Sequence, residues 1–589
     1  MNQSQTKIHS QGSVSAICQN CKKDFTIDVD DFSFYEKIKV PPPTFCPECR
    51  MIRRMLWRNV RSLYKRPCGL CGKNMISMYG NKDLTVYCDD CWKGDKWDSF
   101  SYAQDYDFSQ PFFTQLKGLL QKVPLAYRYA FGNLINSEFT NFTKDNKNCY
   151  LSYSVTDCED ILYSETIDKS RNSLDCYASQ KIDGCSYNID CEGNYNTHYA
   201  VKSQNCIDSN FIFDCTNCQN CFMSSNLRNQ NYFFRNQKMS RESYLEAIKN
   251  LNLGSYTNFE KLKKEFNEML EKKVIHKFAF IYASQNSTGD YIHNAKNAKR
   301  CFDTNNVENV AYSMRAIEVK DCYDNQGVGF NAELIYESMA ATKNTYKDFF
   351  CYICLVCREC EYCIDCRNCS NCFGCVGMKN VEYCIFNKQY SKEEYFSLVD
   401  KIKKHMNEMP YIDKKGRIYK YGEFFPHDMS PFGYNETNAH DFFPITKEEA
   451  NEKGYPWKDR EKREYNATIK SDELPDNIED VLDSILNEII SCPNDGNQMY
   501  QCTTAFKIMP AELQFYKQKN LTLPRFCPNC RHYMRLKYRN RMHLYDRECM
   551  CNISSHDHVN KCENKFQTTY ASDRPEKVYC EKCYQQEVY

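Results

Sequence analysis

The stretch FYEKIKVPPPTFCPECRMIRRMLWRNVRSLYKRPC, residues 34–68, decides the fold because the chain contains it twice. With the numbering shifted by 481, it returns without a gap as FYKQKNLTLPRFCPNCRHYMRLKYRNRMHLYDREC, residues 515–549, and 15 of 35 positions are identical. The identities concentrate at positions that chemistry or geometry constrains: Cys46/Cys527, Cys49/Cys530, Cys68/Cys549, Pro43/Pro524, Arg50/Arg531, Arg54/Arg535, Arg58/Arg539 and Asn59/Asn540. The sequence therefore predicts the same cysteine module at both ends of the chain.

The cysteines of the N-terminal copy have the spacing of metal ligands. Cys18 and Cys21 form one C-x2-C pair, and Cys46 and Cys49 form a second. Each such turn can direct two thiolates at one ion, so two turns complete a tetrahedral zinc site. Cys49 is expected in the first turn of a helix, where free N–H groups favour a thiolate. A second predicted site follows at once: Cys68, Cys71, Cys88 and Cys91.

The C-terminal copy is less regular. Cys502 aligns with Cys21, but Met499 stands where Cys18 would be, so Cys492 is the nearest fourth ligand or the site has only three thiolates. The predicted ligands of the two C-terminal sites are Cys492, Cys502, Cys527 and Cys530, and then Cys549, Cys562, Cys580 and Cys583. Ten extra residues before Cys562 leave other fourth ligands open beside Cys549, which the alignment favours: Cys551, His556 and His558. In total we expect about four structural zinc ions.

The residues CQNCKKDFTIDVDDFSFYEKIKVPPPTFCPECR, 18–50, resemble the family described as "probable zinc-ribbon". The shared pattern is a C-x2-C, a Phe, a Phe-Tyr pair and a closing C-x2-C-R. The resemblance implies a treble-clef zinc module and no particular biological role. The chain as a whole resembles uncharacterised cysteine-rich, zinc-ribbon-containing bacterial proteins.

Composition limits the class of protein. The formal net charge is zero, so any nucleic-acid affinity has to come from local patches. The start, MNQSQTKIHSQGS, has no apolar core, which argues against a secretory signal, and no apolar run approaches a membrane span. The 38 cysteines then indicate reduced, metal-binding thiols in a cytoplasmic protein without a membrane partner.

Between the modules the sequence changes to short units with an aromatic residue, such as NCYLSY, GCSYNI and RCFDTN, bounded by Asn, Asp or Gly. A short fixed period predicts stacked coils. The expected fold class is multi-domain and mainly β, with cysteine modules flanking two β-solenoid-like blocks, each followed by a helix. The predicted divisions are a disordered tail 1–15, the N-terminal module 16–98, a linker with a short helix 99–147, the first block 148–237, a helical segment 238–275, the second block 276–390, a helix 391–409, a linker with an amphipathic helix at 476–490 in 410–491, and the C-terminal module 492–589.

Nine cysteines occur in unbroken steps of three within the second block: Cys351, Cys354, Cys357, Cys360, Cys363, Cys366, Cys369, Cys372 and Cys375. One interpretation is a thiolate array in a metal-handling or redox protein. The other is a ladder of buried thiols, because cysteine is small and apolar and other units carry Tyr, Ile or Ala at similar places. Packing is favoured, although a period of three does not suit a continuous strand.

The segment after Cys49 is strongly basic, with no acidic residue between Arg50 and Arg66. On a continuous helix, five basic residues share one face, and the C-terminal copy repeats part of the pattern. The predicted nucleic-acid-binding residues are Arg50, Arg54, Arg58, Arg61, Lys65, Arg531, Arg535 and Arg539. Rows of guanidinium groups suit phosphate backbones. The alternatives are a solvated face or pairing with acidic segments of the same chain.

Enzyme motifs are scarce: the sequence has no P-loop, no G-x-S-x-G and no zinc-protease pair of histidines. The sequence thus favours a zinc-binding, non-catalytic scaffold or adaptor that contacts RNA or DNA through the arginine stripes, with a protein as the other possible partner. The metal-handling or redox function of residues 351–375 is the alternative. The sequence does not specify an oligomeric state.

Overall fold

In the computed structural model, which describes residues 7–8, 12–81, 83–459 and 465–589, the chain forms two units. Unit 1 consists of Met1–Arg128, Ala279–Lys458 and Met542–Leu544. Unit 2 consists of Tyr129–Phe278, Asp459–Arg541 and Tyr545–Tyr589. Each unit therefore joins one cysteine module to the block of repeats that is distant from it in sequence.

Unit 1 contains the N-terminal module and the second block. Its α-helices are Val29–Ile38, Pro47–Met55, Asp89–Lys93, Phe112–Lys122, Lys392–Glu408, Asn438–Phe442 and Lys447–Lys453. Its strands are Lys7–Ile8, Val14–Ile17, Asp24–Ile27, Tyr64–Pro67, Asn74–Ser77, Val86–Tyr87, Leu125–Ala126, Ile281–Tyr282, Gly289–Lys299, Cys301–Ala311, Ile317–Tyr323, Gly329–Glu333, Ser370–Phe373, Glu382–Ile385, Lys388–Gln389, Tyr411–Ile412 and Ile418–Tyr419.

Unit 2 contains the first block and the C-terminal module. Its α-helices are Arg241–Leu251, Tyr256–Lys272, Pro510–Lys519, Pro528–Leu536 and Glu581–Val588. Its strands are Ala130–Ile135, Thr140–Asn141, Thr143–Lys147, Ser152–Leu162, Glu165–Asp168, Arg171–Leu174, Tyr177–Gln180, His198–Val201, Asn210–Phe213, Gln219–Ser225, Asn231–Phe234, Gln237–Lys238, Ile275–Lys277, Ile490–Ser491, Ala505–Phe506, Tyr545–Glu548, Lys565–Thr568 and Lys577–Tyr579.

The blocks are built from parallel pairing whose register repeats every twelve residues. In unit 2, Tyr153 pairs with Glu165 and Glu165 with Tyr177. In unit 1, Glu361 pairs with Phe373 in the same way. The register lengthens to thirteen at a few places, such as Tyr323 with Tyr336 in unit 1. Each segment therefore forms hydrogen bonds with the segment that lies one repeat later in the chain.

A left-handed residue at every third position explains the period of three. Positive φ recurs at three-residue steps from Phe142 through the first block to Arg235, and half of the non-glycine residues at these steps are Asn or Asp, which tolerate this conformation better than other non-glycine residues. The chain therefore turns a corner after each triplet, and the residue after the corner is buried, as in Cys149 after Asn148. Each twelve-residue repeat accordingly has four inward positions, each separated by three.

The nine regularly spaced cysteines fill these inward positions. All are buried, and the twelve-residue register stacks Cys351, Cys363 and Cys375 above one another. Their thiols donate to backbone carbonyls: Cys363 Sγ lies 3.4 Å from the carbonyl oxygen of Cys372. Burial raises the pKa of the Cys354 and Cys363 thiols well above the usual range, whereas at Cys351 and Cys375 neighbouring thiols outweigh burial and lower the pKa to about 6 and about 5. The hydrogen bonds from these thiols to backbone carbonyls favour the packing interpretation.

Two predicted helices differ in the structure. The helix after Cys49 ends at Met55, and residues Tyr64–Pro67 form a strand, so the basic segment does not lie on one helical face. The predicted helix at 476–490 is wrong, because the segment forms two separate 3-10 turns, Ile478–Asp480 and Asp483–Asn487, with extended backbone at Leu482 between them. Ile478, Val481 and Ile485 of this segment pack into the core of the C-terminal module, whereas Leu482 at the break is exposed.

The predicted disordered tail 1–15 is wrong at Lys7–Ile8, whose backbone pairs with Val14 and Ser15 in an antiparallel sheet. Residues 1–6 and 9–11 lie outside the described residues. The backbone pairing, rather than the polar composition of this tail, sets its local structure.

We predict that Cys363→Ala lowers the free energy of unfolding by about 1–2 kcal/mol, because it removes one buried sulfur from the stack. The metal content of the purified chain should not change. Chemical denaturation and elemental analysis measure the two quantities. Loss of bound metal in this variant would contradict the packing interpretation, and Cys363→Asp, which buries a charge, should destabilise far more strongly.

Candidate metal centres

Four groups of four cysteines bring their sulfur atoms within 4.8 Å of one another. The groups are Cys18, Cys21, Cys46 and Cys49; Cys68, Cys71, Cys88 and Cys91; Cys492, Cys502, Cys527 and Cys530; and Cys549, Cys562, Cys580 and Cys583. Each group therefore assembles the cysteines that the sequence assigns to one site, and Cys549 joins the fourth group as the alignment favours.

The distances between sulfur atoms fit a metal at the centre of each group. Four zinc–sulfur bonds of about 2.3 Å in a tetrahedron place the sulfurs about 3.8 Å apart. The observed separations are 3.8 Å for Cys21–Cys46, 3.8 Å for Cys71–Cys88, 3.8 Å for Cys492–Cys530 and 3.9 Å for Cys562–Cys580. Soft thiolates in this geometry suit zinc, so each of these four groups is a site for such an ion.

All four groups share one backbone arrangement. The third cysteine of each group caps a helix, and its backbone N–H donates to the sulfur of the first cysteine. The donor and acceptor pairs are Cys46 to Cys18 at 3.2 Å, Cys88 to Cys68 at 3.3 Å, Cys527 to Cys492 at 3.4 Å and Cys580 to Cys549 at 3.2 Å. The fourth cysteine lies in the first turn of that helix, where the helix dipole stabilises negative charge.

These backbone donors favour thiolates. Burial opposes ionisation of Cys68, yet the N–H groups of Cys71 and Cys88 lower its pKa to about 6. Burial likewise opposes ionisation of Cys580, and the side-chain amide of Asn564 helps to lower its pKa to about 7. One cysteine in each of these two groups can thus ionise near neutral pH. The resulting thiolate is the form that a metal ligand requires.

The irregular third site has a simple structural origin. Cys18 follows the strand Val14–Ile17 directly, and its backbone N–H donates to the carbonyl of Lys23 at 2.9 Å. Cys492 follows the strand Ile490–Ser491 directly, and its N–H donates to the carbonyl of Thr504 at 2.7 Å. Lys23 and Thr504 occupy aligned positions, so Cys492 is the structural counterpart of Cys18. The hairpin turn is simply longer, and Met499 lies within it.

In unit 1, the arginines predicted to bind nucleic acid are buried in ion pairs. Arg50 and Arg54 are 2% and 1% exposed. An Arg50 nitrogen lies 2.9 Å from Asp324, and an Arg54 nitrogen lies 3.2 Å from Glu337. Arg53 joins Glu337 to Glu423 with two contacts of 2.8 Å. The predicted exposed arginine face is therefore wrong for Arg50 and Arg54, because carboxylates of the same unit surround their guanidinium groups.

Unit 2 repeats this arrangement with its own residues. Arg531 contacts Glu512 at 2.9 Å, and Arg535 forms an ion pair with Asp175. Both arginines are nearly fully buried, so the predicted exposed face is wrong for them as well. Arg539 lies 3.0 Å from Asp190.

The remaining predicted residues are scattered. Arg58 is buried, with a guanidinium nitrogen 3.8 Å from the sulfur of Met339. Arg61 is half-buried, and Lys65 is exposed on the strand Tyr64–Pro67. Since the helix ends at Met55, these three side chains do not continue a single stripe.

The acidic partners reveal a second duplication that the sequence analysis missed. Arg535 donates to the carbonyl of Tyr163 at 2.8 Å, and Arg54 donates to that of Tyr312 at 3.2 Å. In each block an aspartate follows this tyrosine by one twelve-residue repeat and pairs with the arginines: Asp175 after Tyr163, and Asp324 after Tyr312. A Tyr followed twelve residues later by an Asp was the sequence signal that could have identified these acidic partners.

Comparison with known proteins found no family model and no curated protein that matches the chain. Among the described residues, no helix is both long enough and apolar enough to cross a bilayer. The function is therefore argued from the sites themselves.

We predict that removal of metal by a strong chelator unfolds both modules, because each structural zinc contributes on the order of 10 kcal/mol to folding. Near-UV circular dichroism and protease cleavage within residues 16–98 and 492–589 follow the loss. Zinc should restore the signal and magnesium should not. Modules that remain folded in metal-free protein would contradict the prediction.

We predict that Asp324→Ala lowers the free energy of unfolding by about 3–5 kcal/mol, because Arg50 and Arg54 lose a buried counter-charge. Glu308→Ala is the matched control, since Glu308 pairs with Lys296 on the exposed surface of the same block. Its effect should stay below about 1 kcal/mol. Chemical denaturation compares the two variants, and equal effects would refute a special role for the buried cluster.

Proposed function

We propose that the protein is a zinc-stabilised, non-catalytic adaptor, and that unit 2 binds an acidic, aromatic peptide segment of a protein partner. The four metal sites support a structural role for zinc. Each offers four thiolates, which fill the tetrahedral coordination of the ion, whereas catalytic zinc keeps one position for water or substrate. The modules with their knuckle, hairpin and helix fit the treble-clef type.

We infer that the two blocks are β-solenoids. The register of twelve residues, which lengthens to thirteen in part of the second block, the recurrent left-handed corners at three-residue steps and the stacked inward cysteines support this assignment. A stack of coils with regular faces gives a rigid surface on which a module can be held. This rigidity suits a scaffold or adaptor.

The observation that carries the proposed function is a cavity of about 400 Å³ inside unit 2. Its wall comes from the first block, the helix Tyr256–Lys272 and the C-terminal module. The lining combines cationic and aromatic side chains, among them Lys202, Lys263, Arg525, Tyr256, Phe526 and Tyr538. A cavity of this size and composition can accept a few side chains of a peptide.

In unit 1 the corresponding surface is covered by the chain's own segment. Thr44, Phe45 and Trp57 align with Arg525, Phe526 and Tyr538 of the cavity wall. Each of the three contacts residues 419–427: the Thr44 N–H donates to the Glu423 carboxylate at 2.9 Å, the Phe45 ring lies 5.8 Å from that of Tyr419, and the Trp57 ring lies 4.8 Å from that of Phe425. The unit 1 segment thus shows the kind of peptide that this surface accepts: a carboxylate flanked by aromatic rings.

The charges in the unit 2 cavity favour a similar ligand. Arg525 donates to the carbonyls of Ser471 and Pro475 at 2.8 Å, but its buried Nε has no hydrogen-bond partner among the described residues. Burial lowers the pKa of Arg525, and Tyr256, Asp476 and Asp472 only partly offset this effect. A peptide carboxylate would add to that compensation. Glu260 and Glu271 also line the cavity, which favours a ligand with one carboxylate near Arg525 over a polyanion such as nucleic acid.

The test is fluorescence anisotropy of the labelled peptide YKYGEFFPHDM, residues 419–429 of this chain, with the full-length protein. We predict that Arg525→Gln weakens binding about 10-fold or more, because a charge-assisted hydrogen bond is lost. Arg541→Gln, which removes an exposed cation of the same unit, is the matched control and should have no effect.

Two results would overturn this proposal. One is equal peptide affinity of the wild type and Arg525→Gln. The other is displacement of the peptide by a single-stranded RNA oligonucleotide whose own binding requires Arg525, which would identify nucleic acid as the ligand.

A further inference from the structure

A second cluster of ligand-type side chains lies beside the fourth cysteine group. The metal-ligating atoms of Cys551, His556, His558 and Cys583 all lie within 4.8 Å of one another. His556 Nδ1 is 3.2 Å from Cys551 Sγ, and His558 Nε2 is 3.4 Å from the same sulfur. Two imidazole nitrogens and two sulfurs that converge in this way form a donor set suited to zinc.

The surroundings of the two histidines are those of metal ligands. His556 has a nearly buried side chain, and its second nitrogen, Nε2, lies 3.3 Å from a carboxylate oxygen of Glu587. A carboxylate in this position fixes the orientation of a ligating imidazole and makes it a better donor. His558 directs Nε2 at the cluster, while its buried Nδ1 has no hydrogen-bond partner among the described residues.

Cys583 belongs to both groups. It lies in the first turn of the helix Glu581–Val588 and is 1% exposed. Its sulfur is within 4.8 Å of the ligand atoms of Cys549, Cys562 and Cys580 in one group, and of the three other members in the second. A thiolate sulfur carries enough lone pairs to bind two metal ions at once.

We propose that the C-terminal module holds two zinc ions bridged by the Cys583 thiolate. One ion is held by the tetrathiolate group described above. The other is held by Cys551, His556, His558 and the shared Cys583, so that the chain binds one ion more than its four tetrathiolate groups require. Both ions have four protein ligands, and the second site is therefore structural as well.

The formal charge supports the pair. A single divalent ion with four thiolates leaves two buried negative charges, whereas two divalent ions with five thiolates and two neutral imidazoles leave one. The second ion thus reduces the charge that the module has to bury. The second ion also explains why Cys551 is fully buried beside two imidazoles.

The inserted loop supplies just the extra ligands. In the N-terminal module the corresponding cysteines, Cys68 and Cys71, are two residues apart and leave no room for others. In the C-terminal module the longer loop between Cys549 and Cys562 contains all three additional donors. The backbone N–H of Cys562 donates to the carbonyl of Cys551 at 3.0 Å, which holds the two ends of this loop together. The N-terminal module is accordingly an internal reference with one ion in the equivalent position.

The test is elemental analysis of the full-length protein after dialysis against a weak chelator. We predict about five zinc ions per chain for the wild type and about four for His558→Ala and for Cys551→Ser. His543→Ala is the matched control, because His543 is a surface histidine that contacts Glu48 and lies in unit 1, and it should leave the metal content unchanged.

A second measurement keeps the proposal testable if a variant folds poorly. In the cadmium-substituted wild type, ¹¹³Cd resonances should fall into two classes, sulfur-only ligation and one site shifted by nitrogen ligands, and the shifted site should couple to a sulfur-only site through Cys583. Four zinc ions in the wild type, no loss in His558→Ala, or a single sulfur-only class of cadmium resonances would each overturn the proposal.

Discussion

The burial of arginine guanidinium groups among carboxylates is the constraint on which each unit depends. A buried charge without a partner costs several kcal/mol, so the arginines of each module require acidic residues at fixed places around them. In unit 1 these are Asp324 and Glu337 of the second block, and in unit 2 they are Asp175 of the first block and Glu512 of the module's own helix Pro510–Lys519. The arginines in turn are positioned by a short helix whose start is fixed by metal-ligating cysteines. The metal-ligating cysteines therefore fix where the helix begins, and the helix positions the arginines. The arginines in turn fix how the module packs against its block.

The cysteine sites were the part most accessible from sequence. Paired C-x2-C spacing identifies thiolates that can share an ion whatever the rest of the fold, and the offset of 481 transferred that inference to the C-terminal copy. The inference became ambiguous only where loop length changed. Sequence alignment places Met499 opposite Cys18, whereas backbone hydrogen bonding makes Cys492 its counterpart. Hydrogen bonds between strands, which an ungapped alignment does not see, settle such a case.

The arginines were misinterpreted because the spacing of residues along a helix does not indicate which groups the helix face contacts. Arg50 and Arg54 are spaced for one face, but a face rich in guanidinium is equally suited to phosphate and to buried carboxylates. The decisive partner, Asp324, lies 270 residues away from Arg54 and belongs to a block separated from the module by the whole first block. Likewise, the steps of three in residues 351–375 indicated tight corners, but only the left-handed residue in each triplet explains how the corners are made.

The two units differ most at the surface formed by Thr44, Phe45 and Trp57 in unit 1 and by the aligned residues of unit 2. In unit 1, residues 419–427 cover this surface, and Phe45 and Trp57 are fully buried. Unit 2 has a cavity at the aligned positions, and Thr44 is replaced there by Arg525, a cation whose Nε has no hydrogen-bond partner among the residues that the structure describes. A folding requirement alone would favour a filled surface in both units, because a cavity forgoes packing contacts and a buried cation is costly. This difference at aligned positions is what the proposed binding of a peptide by unit 2 requires, since the same surface of unit 1 is covered by residues 419–427.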